Sequence, residues 1–164
     1  MSEQGPRGAS ATTLLQPASP EQWAAARALV EEYAASLQLD LDFQHFDDEI
    51  ASLPREYGSP DGCFVLASQD DRFVGCGGVR RRDASTCEMK RLYVVPAARG
   101  GGIARLIVAR LIAHARARGY RSMLLDTLPT MAGAQALYRS LGFAPTDPYR
   151  FNPVPGATFW KLGL

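Results

Sequence analysis

The spacing of apolar and polar positions divides the chain into alternating strand-like and helix-like stretches. Residues 12–16 read as a short strand. Ser19-Pro20-Glu21-Gln22 then has the form of a helix start: the Ser19 hydroxyl can accept an amide hydrogen, Pro20 suits the first helical position, and Gln22 can reach back. In the helix that follows, to about residue 37, Trp23, Ala26, Val30, Tyr33 and Leu37 recur every three or four residues, so one face meets a core. A second short helix is predicted over residues 45–53, ended by Pro54. Three runs rich in β-branched or aromatic residues, 63–68, 73–80 and 86–94, are separated by polar residues 69–72 and 82–85, the pattern of an antiparallel meander. Past Pro96 and a run of glycines, residues 103–118 have a helical pattern stopped by Gly119, and residues 122–127 form another apolar strand. Strand, helix and strand in that order imply a parallel βαβ unit. A last helix over residues 131–141 ends at Gly142, and a Pro-rich tail carries a final strand around residues 158–162. Residues 1–10 show no periodicity and predict a frayed tail, leaving one domain over residues 11–164.

Composition narrows the picture. A chain of 164 residues is near the commonest size for one domain, and 46% hydrophobic with 21% charged residues describes an ordinary globular protein. The net charge is only +1, so no global field draws the molecule to nucleic acid or to a membrane surface, and neither is expected as a partner. Apolar runs are much shorter than the roughly 20 residues that span a bilayer, and residues 1–10 lack the apolar core of a signal peptide; a cytoplasmic protein is predicted. Cys63, Cys76 and Cys87 lie in apolar, strand-like surroundings without CxxC spacing and read as small hydrophobes. His45 and His114 are too scattered to join them, so no metal is expected.

The chemistry concentrates in Val94-Val95-Pro96-Ala97-Ala98-Arg99-Gly100-Gly101-Gly102-Ile103-Ala104-Arg105, between a strand and a helix N-terminus. Successive glycines let backbone approach a ligand closely, and a helix N-terminus offers unpaired N–H groups with a partial positive charge, which together suit a pyrophosphate. Arg99 can add a charge-assisted contact. Three glycines before a helix can equally be a tight turn. The Gly-Lys-Ser/Thr of a phosphate-binding loop is absent, and from Gly100 onward the third glycine of a dinucleotide fingerprint is missing.

The stretch resembles the coenzyme A loop of the GNAT superfamily of N-acetyltransferases, Arg/Gln-x-x-Gly-x-Gly/Ala, with Arg99, Gly102 and Ala104 in the matching places. Ala136-Leu137-Tyr138-Arg139-Ser140-Leu141-Gly142-Phe143 resembles the second signature of that family, a helix carrying Leu-Tyr and ending in Gly-Phe, and the order of elements agrees over most of the chain. The resemblance implies an α/β (α+β) fold with a mixed, mostly antiparallel central sheet of about six or seven strands, about four flanking helices and a V-shaped splay after the fourth strand. It implies acetyl-CoA as co-substrate, bound by Leu92, Tyr93, Val94, Arg99, Gly100, Gly101, Gly102, Ile103, Ala104 and Arg105. Relatives often carry Asn seven residues before the helix Tyr, where this chain has Met131, so the pantetheine arm is expected on backbone contacts.

Amine acetylation needs an uncharged nucleophile, a donor to the thioester carbonyl and a proton source for the departing sulfur. By the resemblance, Tyr138 is the proton source; read alone, it is also a polar-tipped packing residue of an amphipathic helix. Glu88, on the strand leading to the loop, matches the place where some members hold a base that acts through water, and beside Lys90 it is equally an ion-pair residue. His45 is a second base candidate. Residues 40–44 and 148–153 combine aromatics with charges and suit a pocket for a small polar amine, where Arg80, Arg82, Arg91 or Arg150 can meet an acceptor carboxylate. The expected activity is acetyl-CoA-dependent N-acetylation of the primary amine of a small molecule by direct transfer. Acetylation of a protein lysine or N-terminus and acetyl-CoA binding without turnover are the alternatives, and the resemblance leaves a homodimer possible.

Overall fold

β1 (Thr13–Leu15) leads into α1 (Pro20–Leu37), which begins where its capping residues dictate. The Gln22 N–H donates to the Ser19 hydroxyl at 3.2 Å, and the Gln22 side chain accepts the Ala18 N–H at 2.8 Å, so two of the amides a helix start leaves unpaired find partners. The protein is described by a computed structural model that covers residues 10–38, 41 and 45–164. The predicted tail therefore lies outside the described residues except for Ser10. The predicted second helix is two short ones, α2 (Phe46–Ala51) and α3 (Leu53–Tyr57). Pro54 does not end a helix: it stands in the first turn of α3, where its missing N–H has no intrahelical partner to lose.

The meander is formed by β2 (Cys63–Gln69), β3 (Arg72–Arg81) and β4 (Thr86–Val94), paired antiparallel in sequence. α4 (Ile103–Arg118) stops at Gly119, and β5 (Ser122–Thr127) returns parallel to β4, completing the βαβ unit. α5 (Ala132–Ser140) precedes β6 (Ala144–Thr146) and β7 (Thr158–Gly163). β6 is an Ala-Pro-Thr edge segment laid on β7, too short and too polar to show any period. The strands form one seven-stranded sheet in the order β1-β2-β3-β4-β5-β7-β6, with β4–β5 as its parallel pair.

Each face of the sheet buries its own core. Ile103, Ile107, Val108 and Leu111 of α4 pack with Val65, Val79 and Met123 on one side, while Ala26, Leu29 and Val30 of α1 pack with Phe64, Leu66 and Tyr57 on the other. Glycines in the middle of β3 let the helices come close. A Cβ at Gly77 would stand 2.8 Å from Ile107 Cγ2, and one at Gly78, on the opposite face, 2.7 Å from Tyr57 Cδ1.

The expected splay has a local cause. β4 and β5 pair over Thr86↔Ser122, Cys87↔Met123 and Glu88↔Leu124 and then part. At that level Cys76 and Gly78 of β3 face Tyr93 and Lys90 of β4, so three steps on β4 oppose two on β3. The bulge carries Arg91 at φ 62°, and a bulge bends its strand. β4 therefore swings away from β5 and opens a cleft. No helix among the described residues is long and apolar enough to cross a membrane.

Candidate active site

The cleft opens at the bulge. Met89, Lys90 and Arg91 of β4 form one wall and Asp126, Thr127 and Leu128 the other. Tyr33 and Leu37 of α1, Met131 and Asn152 complete a small pocket of about 40 Å³. Along the remainder of β4, no strand among the described residues covers the edge that turns from β5. Leu92, Tyr93 and Val94 lie on that stretch. Tyr93 donates from its hydroxyl to Glu32 at 3.1 Å and packs on Tyr33.

A one-turn 3-10 helix, Pro96–Ala98, joins this edge to the glycine loop. Gly100 and Gly102 take φ 87° and 80°, the left-handed region that L-residues with side chains avoid. A Cβ at Gly100, Gly101 or Gly102 would meet nothing within 4 Å, so these glycines are not there for internal packing. Gly102 is the N-cap of α4, and no side chain caps the helix. The amides of Ile103, Ala104 and Arg105 thus belong to a helix start that faces open space. Arg99 is turned elsewhere: its Nε donates to the Val94 carbonyl at 2.8 Å, and its guanidinium lies over the Tyr93 ring. Arg105 is exposed and donates to Ser140 at 2.6 Å.

Tyr138 of α5 is buried and packs against Phe143, which Gly142 turns back beneath the helix. Its phenol makes no hydrogen bond among the described residues. Burial drives its pKa well above the ordinary tyrosine value, and Tyr33 and Asp126, both lining the pocket, add to the shift. Its hydroxyl therefore feels the pocket and keeps its proton at any working pH.

Glu88 sits at the last β4–β5 pair, 3% exposed, in a network of charges. One oxygen accepts from Arg80 Nε and Nη2, both at 3.2 Å; the other accepts from the Tyr149 hydroxyl at 2.6 Å, with Arg150 Nε at 3.9 Å. Burial alone would raise its pKa, but Lys90, the Tyr149 hydrogen bond, Arg80 and Arg150 outweigh it and hold the carboxyl below its ordinary value. Arg91 donates to Glu49 at 2.6 and 3.3 Å, and Tyr57 donates to the same carboxylate. Asp126 accepts from Arg150 Nε and Asn152 Nδ2, both at 3.0 Å. Lys90 is buried in the pocket wall, and burial pulls its ammonium down to about 8. Such networks persist inside proteins because every buried charge has an opposite one.

Neither Glu88 nor Tyr138 lines the pocket itself: Glu88 precedes Met89 of its wall on β4, and Tyr138 lies on α5, the helix that follows Met131. His45 is exposed ahead of α2 and does not line the pocket. Of residues 40–44, Leu41 lines the pocket and the others lie outside the described residues. Of residues 148–153, Asn152 lines the pocket, whereas sequence reasoning passed over Asp126 and Lys90 as pocket residues. The available signal was a lone carboxylate in the apolar run Ser122–Thr127 and one of only two lysines placed inside a strand. Met131, in place of the expected Asn, lines the pocket and accepts from Thr127 Oγ1 at 3.6 Å through sulfur. The three cysteines are free and buried; burial pushes the thiols of Cys63 and Cys87 up to about 11 and 12, which leaves them inert.

The family model described as Acetyltransferase (GNAT) family matches residues 22–143. The chain belongs to the GNAT acetyltransferase family. It is an N-acyltransferase of the GNAT type. A Schizosaccharomyces pombe protein named as an uncharacterized N-acetyltransferase is 41% identical over 83% of this chain and 85% of its own. An N-acetylaspartate synthetase of Danio rerio is 32% identical over 67% of this chain and 40% of its own. Among solved structures, a Staphylococcus aureus GNAT acetyltransferase superposes with a TM-score of 0.78 at 18% identity, over 93% of this chain and 99% of its own. The yncA structure of Salmonella typhimurium, with its cofactor acetyl-CoA, superposes at 0.65 and 22% identity, over 93% of this chain and 94% of its own. This GNAT chain therefore shares its architecture with a structure that holds acetyl-CoA.

Proposed function

We propose that the protein transfers an acetyl group directly from acetyl-CoA to the primary amine of a small molecule. The observation that carries this reading is that β4 runs from a pocket lined by Lys90, Arg91 and Asp126 into an unobstructed glycine loop at the start of α4. Gly100, Gly101 and Gly102 with the amides of Ile103, Ala104 and Arg105 hold the pyrophosphate, because unpaired N–H groups and the helix dipole both favour an anion there. The open edge of Leu92, Tyr93 and Val94 holds the pantetheine arm by strand-like pairing. Arg99 acts through Val94, fixing the end of that edge. Bound acetyl-CoA supplies an activated thioester.

Tyr138 presents a proton at its hydroxyl to the developing negative charge on sulfur. A thiol has a pKa of about 8.5, so a phenol shifted well above 10 keeps its proton and serves the sulfur as a hydrogen-bond donor, with outright transfer uphill. Glu88, held ionised, attracts the incoming ammonium and takes its proton through water. As a carboxylate with a lowered pKa it is a weak base, so its larger contribution is electrostatic. The small size of the pocket favours a small acceptor, and among the relatives the N-acetylaspartate synthetase is named for a small molecule.

Calorimetry with acetyl-CoA, followed by thiol release against a broad amine panel, tests this reading. Saturable binding and amine-dependent release of coenzyme A are expected. Absence of binding at millimolar acetyl-CoA, or release that yields no acetylated amine, overturns it.

A further inference from the structure

Of the four arginines considered for an acceptor carboxylate, Arg91 lines the pocket and Arg150 adjoins it through the lining residue Asp126, and the structure separates all four by their partners. Arg80 is committed to Glu88, with Glu49 and Glu56 at 3.5 Å. Arg91 is spent on Glu49 through two donors. Arg82 is exposed and folds onto Tyr149, donating to its carbonyl at 2.8 Å and lying over its ring. Arg150 differs. Its Nε donates to Asp126 at 3.0 Å, but its Nη2 is buried and has no hydrogen-bond partner. A guanidinium nitrogen enclosed away from water and left unpaired is costly, and such groups in native proteins call for a partner. Asp126 shows the complementary feature. Both Arg150 Nε and Asn152 Nδ2 donate to its Oδ2, which leaves Oδ1 with no donor among the described residues.

Resting on the acetyltransferase reading above, we propose that the acceptor is a free amino acid whose carboxylate docks on Arg150 Nη2 and whose amine docks on Asp126 Oδ1. Arg150 Nε and Asp126 Oδ2 already touch, so the unspent donor and the unspent acceptor are adjacent, as the ammonium and carboxylate of one amino acid are. Charge balance agrees. Arg150 already pairs with Asp126 and lies 3.9 Å from Glu88, and a zwitterion brings no net charge to that network. A diamine or a plain amine would add an unmatched cation and leave the guanidinium orphaned.

The test uses the intact protein with acetyl-CoA and three matched sets of acceptors: the twenty amino acids, their carboxamides, and the amines lacking the carboxyl group. For the best side chain, kcat/KM for the acid is expected to exceed that for the amide by about a hundredfold, the effect of one or two charge-assisted hydrogen bonds. Arg150→Gln should bring the acid-to-amide ratio close to one, chiefly through KM. Arg150→Lys, which keeps the charge but not the planar fork, should fall between. The ratio compares two acceptors on the same variant, so partial unfolding does not mimic the effect. Equal efficiency for acids, amides and plain amines in the unaltered protein overturns the carboxylate site and leaves N-acetyl transfer standing. Absence of thiol release with every amine overturns N-acetyl transfer and this inference with it.

Discussion

At the scale of single residues, the two candidate catalytic groups are buried to different ends. Tyr138 has a buried phenol that makes no hydrogen bond among the described residues, whereas both oxygens of Glu88 accept hydrogen bonds. Replacing Tyr138 with Phe keeps the ring on Phe143, so coenzyme A affinity should hold while the rate falls by on the order of a hundredfold. Single-turnover measurement separates this from slow product release; an unchanged rate there makes Tyr138 a packing residue. Glu88→Gln leaves Arg80, Arg150 and Lys90 facing a neutral amide. Breaking a buried charge network from one side costs about 3 kcal/mol, so urea unfolding should show a large loss of stability alongside any loss of rate. A variant as stable as the parent would show that the carboxylate is there for chemistry alone.

At the scale of elements, glycines do two separable jobs. In β3 they allow close packing; in the loop before α4 they keep a face open. Gly78→Ala forces a methyl to within 2.7 Å of the Tyr57 ring and should destabilise the fold by about 1–3 kcal/mol without changing coenzyme A affinity. Gly102→Val, at φ 80° with nothing within 4 Å, meets no protein atom and suffers only the strain of the left-handed backbone, about 1–2 kcal/mol. Its branched side chain stands on the ligand path, so calorimetry should find a folded protein that no longer binds acetyl-CoA. Binding at the parent affinity would move the site elsewhere.

At the scale of the whole molecule, buried titratable groups shape the response to pH. Lys90 is lowered from 10.5 to about 8, so the folded state releases this proton more readily than the unfolded chain. The penalty for the buried ammonium is complete below about pH 8 and fades as pH rises toward 10.5; stability should therefore climb from pH 8 to about 10. Above 10 the buried phenols of Tyr57, Tyr138 and Tyr149 stay protonated in the fold but ionise in the unfolded chain, and stability falls. Thermal melts of the parent and of Lys90→Met should differ by the first slope and share the second. Acetyl-CoA at a hundred times its dissociation constant should add about 2.7 kcal/mol, or roughly 5–10 °C in Tm for a chain of this size.

Much of this architecture is legible in the sequence because its cues are local. Ser19 and Gln22 start a helix by hydrogen bonds within four residues, Gly119 and Gly142 stop helices by their own backbone angles, and the meander strands, buried on both faces, stand out as runs rich in apolar and β-branched residues between polar turns. The glycine loop and the Leu-Tyr and Gly-Phe signature are likewise contiguous, which makes the family readable from the chain alone. Pro54 misled because the same residue that ends one helix also opens the next, and spacing does not tell the two apart. The acceptor pocket was legible only in part: residues 40–44 and 148–153 contribute Leu41 and Asn152, but its charges Lys90, Arg91 and Asp126 come from β4 and β5 and belong to a network that reaches from Glu49 to Arg150, 101 positions apart. Only the bulge at Arg91 and the parting of β4 from β5 decide that Asp126, Lys90 and Asn152 face one space. Which arginine is left with an unspent donor depends on which carboxylates the other three reach, and that is settled by packing across the sheet rather than by any stretch of sequence.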